Sequence, residues 1–287
     1  MQASGPAFAR AFGLKPGQPE AVSARITRIT RILAPNPGPM TFTGTVSYLI
    51  GRSAPVLIDP GPEMEAHLAA LMGALAGRPL QAIFLTHHHK DHIGGIAEVR
   101  AAWPDLRVVA PLADKARIEG ADLYVREGER VHVGSIALDV IETPGHTSGH
   151  VVYHAPEEAL LFAGDTLFAM GCGRAFEAPA QVLWASLRKL AALPAHTRVW
   201  CGHEYTQANG RFALTVDPLN AALKTRMADV AQMRARGEPT LPTTIGLELA
   251  TNPFLRADDA NVRAALDMPH ASAADVFAEL RERKNRG

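Results

Sequence analysis

Short apolar runs that break off at glycine, proline or a polar residue recur from about Ile26 to Cys201, and such runs predict buried strands. The candidates are Val56-Leu57-Ile58, Ala82 to Leu85, Val108-Val109, Ile136 to Ile141, Val151-Val152-Tyr153, Leu160-Leu161-Phe162 and Val199-Trp200. Two stretches in the same region carry apolar residues at helical spacing instead. Leu68, Leu71, Met72 and Leu75 predict a helix from Glu65 to Leu75 closed by Gly77, and Val182, Leu183, Leu187 and Leu190 predict one from Ala180 to Leu193. After about Tyr205 the pattern is helical alone. Asp217-Pro218 reads as a cap followed by proline, with Leu219, Leu223, Met227 and Val230 on one face and Gly237 as the stop. Ser272 and Asp275 form a capping box ahead of Val276, Phe277 and Leu280. The expected organisation is a mixed β-rich domain followed by a smaller helical one.

The 287 residues suffice for a large core, and 47% hydrophobic with 20% charged residues is an ordinary globular composition. Lys and Arg number 29 and so do Asp and Glu, a balance that argues against a nucleic-acid partner needing a broad basic face. No run approaches the roughly 18 apolar residues of a membrane helix, so no membrane partner is expected. The only cysteines, Cys172 and Cys201, cannot build a disulfide framework, which makes a reducing cytoplasm the expected compartment. Residues 1–24 lack a secretory pattern and read as a loose extension. A monomer is expected.

Four of the twelve histidines fall within six residues, in Thr86-His87-His88-His89-Lys90-Asp91-His92. Imidazole and carboxylate at that spacing pack poorly and ligate metals well. Three further strand-like runs each deliver one such group just past their ends: His146 after Leu138 to Glu142, Asp165 after Leu160 to Ala163, and His203 after Val199-Trp200-Cys201. If these ends converge, His87, His89, Asp91, His92, His146, Asp165 and His203 make seven ligands. That is too many for one four-coordinate ion and suits two divalent ions about 3.5–4 Å apart. In an extended loop His87 and His89 share a side and His88 points away. The assignment is His87, His89 and His146 to one ion, Asp91, His92 and His203 to the other, and Asp165 as the bridge. Zinc is the expected metal, with iron and manganese compatible with the same donors. His67, His132, His150, His154, His196 and His270 lack the strand-end context and read as surface or internally satisfied histidines.

The run His-x-His-x-Asp-His followed by lone His146, Asp165 and His203 resembles the metallo-β-lactamase superfamily. The resemblance implies an α/β fold, an αββα sandwich with two metals at one edge and a small α-helical C-terminal domain. Residues 25–204 would form the first domain and 205–287 the second. Asp59, in Leu57-Ile58-Asp59-Pro60-Gly61, would lie behind the metals as an orienter, although Asp before proline is also a common turn starter.

Finer motifs narrow the branch. Thr143-Pro-Gly-His-Thr-Ser-Gly-His150, Gly164-Asp-Thr-Leu-Phe168, Gly171-Cys-Gly-Arg174, Cys201-Gly-His-Glu-Tyr-Thr206 and Asn252-Pro-Phe-Leu-Arg256 resemble glyoxalase II, the hydroxyacylglutathione hydrolases. Carried over by position, that resemblance implies glutathione contacts at Arg174, Tyr205, Asn209, Arg281 and Lys284. Phe176 stands where some relatives have tyrosine. The implied activity is hydrolysis of S-(2-hydroxyacyl)glutathione by a metal-bridging hydroxide, with Asp91 and Asp165 as the catalytic carboxylates. Residues 25–50, with Asn36-Pro-Gly-Pro-Met-Thr-Phe-Thr-Gly44, instead resemble the opening of β-lactamase-like-2 type hydrolases, which makes a lactone, a β-lactam or another acyl thioester the alternative substrate.

Overall fold

The computed structural model describes residues 20–21, 28–134 and 136–286. Apart from Glu20 and Ala21, the N-terminal extension expected over residues 1–24 lies outside the described residues. The first sheet contains, in spatial order, β1 (Glu20–Ala21), β2 (Arg28–Leu33), β3 (Val46–Ile50), β4 (Val56–Ile58), β5 (Ala82–Phe84), β6 (Arg107–Pro111) and β7 (Leu123–Val125). The second contains β8 (Arg130–Val133), β9 (Ile136–Glu142), β10 (Val151–Ala155), β11 (Leu160–Gly164), β14 (Arg198–Cys201) and β15 (Thr243–Thr244), while β12 (Leu167–Phe168) and β13 (Gly171–Cys172) form a separate ribbon.

Alternation along the strands explains the layering, because successive side chains leave a strand on opposite faces. Tyr48, Ile50, Val56, Ile58 and Phe84 of the first sheet meet Leu138, Val140, Tyr153, Phe162 and Trp200 of the second in the inter-sheet core. The intervening residues Leu49, Leu57, Ile83 and Val108 face outward and are covered by Leu71 and Leu75 of α1 (Glu65–Leu75), with Val99. On the other outer face Val152, Leu161 and Val199 pack with Leu183, Leu187 and Leu190. The short α2 (Lys90–Ile93) and then α3 (Ile96–Ala102), which carries Val99, follow β5, and α4 (Ala180–Ala191) carries the three leucines. Both sheets are therefore buried on both sides, giving the αββα sandwich.

The C-terminal part is helical: α5 (Thr206–Val216), α6 (Ala221–Ala235), α7 (Ile245–Thr251), α8 (Ala260–Ala265) and α9 (Ala273–Arg286). Val276, Phe277 and Leu280 of α9 join the core under α4. The Ser272 hydroxyl accepts from the Asp275 amide at 3.2 Å, as its capping spacing predicts. One predicted start moves. Asp217-Pro218 does not open a helix but follows the end of α5, and α6 is capped by Asn220, whose side chain accepts from Leu223 N at 2.9 Å. Pro218 has no N–H to continue α5, and Leu219 is left 75% exposed rather than on a buried face. Strands β2, β3, β7 and β8 are not among the predicted runs, nor are the two-residue strands β1, β12, β13 and β15. β2 and β8 interleave arginine with their apolar residues, Arg31 in β2 and Arg130 in β8, which dilutes a strand signal.

Candidate metal centre

Strand direction gathers the polar groups. β4 and β5 run parallel, and β9, β11 and β14 share one direction because β10 is antiparallel to both β9 and β11. Residues just past these ends therefore collect along one rim. Asp59 follows β4, His87 follows β5 after Leu85 and Thr86, and His146, Asp165 and His203 follow β9, β11 and β14. Asp91 and His92 differ from the extended-loop expectation: they lie in the helical turn α2, with His89 as its N-terminal flank. His88 does point away, toward Asp114 Oδ2 at 3.1 Å and Glu177 Oε1 at 3.3 Å.

The seven groups fall into two linked sets. His87 Nε2 and His146 Nε2 lie 3.0 and 3.1 Å from His89 Nδ1. In the other set His92 Nε2 and His203 Nε2 are 3.4 Å apart, and Asp91 Oδ2 lies 3.5 and 3.3 Å from them. Asp165 stands between: its Oδ2 is 3.5 Å from His146 Nε2 and 3.3 Å from His203 Nε2, and its Oδ1 is 3.5 Å from His92 Nε2. A tetrahedral ion with bonds of 2.0–2.1 Å needs donors about 3.3 Å apart, so these spacings fit one. Asp165 Oδ1 is buried without a hydrogen-bond partner, and a buried carboxylate oxygen left so is costly unless a cation completes it.

The far nitrogens are held from behind, which fixes the ring each side chain presents. His92 Nδ1 donates to Asp59 Oδ2 at 2.8 Å. Asp59 also accepts from Thr86 N and Thr86 Oγ1, at 2.8 and 2.7 Å, so it braces the strand-end loop rather than offering a free oxygen. Its backbone is left-handed (φ 51°), which swings the carboxylate back under Thr86. The Thr86 hydroxyl, having donated to Asp59, accepts from His87 Nδ1 at 2.9 Å. His146 Nδ1 donates to the Arg174 carbonyl at 2.9 Å, and His203 Nδ1 to the Gly44 carbonyl at 3.2 Å. Gly202 permits the closeness: a Cβ there would meet Asp165 Oδ1 at 2.4 Å.

His150 belongs to this scaffold too. Read from sequence as a satisfied histidine, it accepts from the Asp165 amide at 3.0 Å, bonds the Thr143 hydroxyl at 3.0 Å and stacks on His87 at 4.8 Å. Its trace in the sequence is its place at the end of the Thr143–His150 motif, four residues after His146.

Charge divides the two sets. Burial, joined by the neighbouring imidazoles, keeps His87 well below its usual range, and burial holds His146 down at about 4 despite Asp165. Burial opposes the charge on His92 and His203 as well, but Asp165 and Asp91 outweigh it and push them up to about 9 and about 10. Those histidines in turn keep Asp91 and Asp165 ionised, overcoming the cost of burial.

A cavity of about 260 Å³ opens beside His146 and Asp165, and all six expected substrate contacts line it: Arg174, Phe176, Tyr205, Asn209, Arg281 and Lys284. They are not equally available. Arg174 and Phe176 are exposed, with the Phe176 ring 5.3 Å from His146 and 6.0 Å from His89. Lys284 is half-buried over the Phe212 ring, and burial beside Arg281, Arg174 and Arg211 lowers its pKa. Arg281 is buried and donates to the Cys172 carbonyl at 3.0 Å. Asn209 spends its amide on the Ala169 carbonyl at 3.1 Å, and the Tyr205 hydroxyl donates to the Met40 carbonyl at 2.6 Å. Pro39, Met40 and Phe42, which were not predicted, line the same cavity.

Residues 40–203 match the family described as the metallo-beta-lactamase superfamily, and residues 204–287 that described as the hydroxyacylglutathione hydrolase C-terminus. The hydroxyacylglutathione hydrolase of Mesorhizobium japonicum is 50% identical over 234 residues, 82% of this chain and 91% of that protein. That of Nitrobacter hamburgensis is 54% identical over 210 residues, 73% and 82% of the respective chains. Among solved structures, ETHE1 from Myxococcus xanthus superposes with a TM-score of 0.61 at 25% identity, covering 90% of this chain and 91% of its own. TTHA1623 in a di-iron-bound form gives 0.51 at 32% identity, covering 76% and 98%. Two family matches that meet end to end, a rim of His and Asp donors and relatives at half identity over most of the chain have one reading: the chain belongs to the metallo-β-lactamase superfamily, in its hydroxyacylglutathione hydrolase (glyoxalase II) branch.

Proposed function

We propose that this protein hydrolyses S-(2-hydroxyacyl)glutathione, S-D-lactoylglutathione in the first instance, to glutathione and the 2-hydroxy acid with the aid of two divalent ions. The observation that carries the reading is the single cavity shared by the His/Asp rim and the cations Arg174, Arg281 and Lys284. His87, His89 and His146 would hold one ion, Asp91, His92 and His203 the other, and Asp165 would touch both. Zinc suits these donors, as iron or manganese would. When bound, the ions supply a polarised carbonyl and a water whose pKa falls from 15.7 toward about 7.

The chain's own residues do the rest. Arg174 and Lys284 offer their charge to the glutathione carboxylates, and the buried Arg281 adds positive potential behind them. Phe176, against His89 and His146, gives the thioester an apolar edge and keeps bulk water off the reacting carbon. Asp91, 27% exposed at its side chain and hydrogen-bonded from behind, is placed to orient the attacking water. Water adds to the thioester carbon, the C–S bond breaks, and the water's protons end on the thiol and the acid. We take residues 25–204 as the metal-bearing domain, residues 205–287 as the substrate-binding one, and a monomer as the active form. The two buried free cysteines suit a reducing compartment such as the cytoplasm.

A second reading, hydrolysis of a lactone, a β-lactam or another acyl thioester, draws on the Met40 carbonyl that occupies the Tyr205 hydroxyl. One experiment separates the two: turnover of S-D-lactoylglutathione beside those substrates, with metal content measured on the same sample. Two ions per chain and preference for the glutathione thioester are expected, and Asp165→Ala is expected to lose both bound metal and turnover. Saturation at a single ion would remove the two-metal reading, and a preference for a substrate without glutathione would remove the substrate.

A further inference from the structure

The segment between β2 and β3 departs from the rest of the chain in its resemblance, yet it reaches the metal rim. Thr45 is fully buried, and its hydroxyl donates to Asp91 Oδ2 at 2.9 Å. Asn36 fixes that direction. Its Nδ2 donates to Thr45 Oγ1 at 3.0 Å while its Oδ1 accepts from Thr45 N at 2.9 Å, so the one hydroxyl proton of Thr45 is committed to Asp91. The preceding residue serves the same set of donors, because the Gly44 carbonyl accepts from His203 Nδ1. Gly44 has φ +136°, and a Cβ would meet the Ala34 carbonyl at 2.1 Å, so the turn requires glycine. Val46 N then donates to the Gly202 carbonyl at 2.8 Å, clamping the turn to the strand end that delivers His203.

Two of the three groups assigned to one ion are thus held by a single turn, 36–45. The His87, His89 and His146 set is hydrogen-bonded from behind by Thr86 and the Arg174 carbonyl instead of by this turn. We infer that Thr45, locked by Asn36, is a positioning residue for the Asp91, His92 and His203 site and sets that ion's retention without affecting the other. The inference rests on the two-metal reading above.

The test challenges purified, metal-loaded protein with graded chelator and reads ions retained per chain, for wild type, Thr45→Val, Thr45→Ser and Asn36→Ala. Outer partners of metal ligands typically account for about 10–100-fold in affinity. Thr45→Val is therefore expected to release one ion at roughly tenfold or more lower chelator, with the second ion unmoved, while Thr45→Ser behaves as wild type. Asn36→Ala, which leaves the hydroxyl in place but unaimed, is expected to fall between, and it carries the test should Thr45→Val not fold. For thioester turnover, kcat falls and KM holds. Retention of both ions by Thr45→Val as in wild type, or equal loss of both, overturns the inference while leaving the two-metal reading intact. A wild-type protein that never holds more than one ion overturns both.

Discussion

Arg281 and Lys284 are three residues apart on α9, close enough to face one ligand, but their surroundings differ. Lys284 holds its ammonium over the Phe212 ring, 5.6 Å from the centroid, with Arg281, Arg174 and Arg211 nearby, and no carboxylate among the described residues pairs with it. Its removal should cost a charge-assisted contact and little else. Lys284→Ala is expected to raise KM for the glutathione thioester about tenfold with kcat and Tm unchanged, since about 1.4 kcal/mol of lost binding is a factor of ten. Arg281 also bonds the Cys172 carbonyl, donates to Asn285 Oδ1 at 3.0 Å and covers the Phe254 ring. Arg281→Ala leaves a buried carbonyl unpaired, a loss of about 1–3 kcal/mol, so thermal denaturation should show a lower Tm together with the raised KM. Equal melting curves for the two variants would contradict the distinction. The sequence placed both cations on one helix face; only their neighbours show that Arg281 also supports the fold.

At the scale of elements, five strand ends and the turn α2 meet at one rim, and their carboxylates lie nearer one set of histidines than the other. His92 and His203, raised to about 9 and about 10, carry protons at neutral pH before an ion arrives, whereas His87 and His146 do not. Ligand histidines must be neutral, so metal competes with those protons. On the proposed assignment, uptake of the ion held by Asp91, His92 and His203 should release close to two protons at pH 7, about one from each of the raised histidines, and its affinity should fall as pH is lowered. Calorimetric titration in buffers of different ionisation enthalpy measures this directly, and uptake of both ions without proton release would show the assignment of charge to be wrong. The strand ends were legible because glycine and a ligand-type residue follow apolar runs. The helical turn at Lys90–Ile93 was not, since four residues carry too little periodicity to be told from a loop.

Across the whole molecule, the helical part is fastened to the sandwich through a buried polar network around Glu248. Its carboxylate accepts from Arg226 at 2.6 Å, Thr243 at 2.5 Å, Asn252 at 3.0 Å and the Met170 amide at 2.8 Å. Met170 lies in the turn between β12 and β13, whose Phe168 and Cys172 line the cavity, so the same group ties α6 and α7 to the ribbon at the cavity wall. Removing one member of a buried pair strands the other charge, at a cost of about 3–5 kcal/mol. Glu248→Ala is expected to lower stability by that order in urea denaturation, and Glu248→Gln by less. A loss under about 1 kcal/mol would mean that solvent reaches Arg226 once its partner is gone.

The sequence by itself determined the order of a β-rich part and a helical part, and the donor set. Short, near-continuous apolar runs mark strands buried on both faces, and seven His and Asp residues just past such runs specify metal chemistry wherever those runs end together. The pairing of donors, with Asp165 between them and Asp59 behind, is already an expectation of the sequence and its resemblance, whereas the place of His150, under Asp165 and against His87, follows from packing, to which local sequence is blind. Likewise the tertiary structure alone decided that Met40 would take the Tyr205 hydroxyl and Thr45 would aim at Asp91, contacts made by residues 165 and 46 positions apart in the chain. Such hydrogen bonds depend on where folding brings two distant segments together, and no local pattern of apolar and polar positions encodes that meeting.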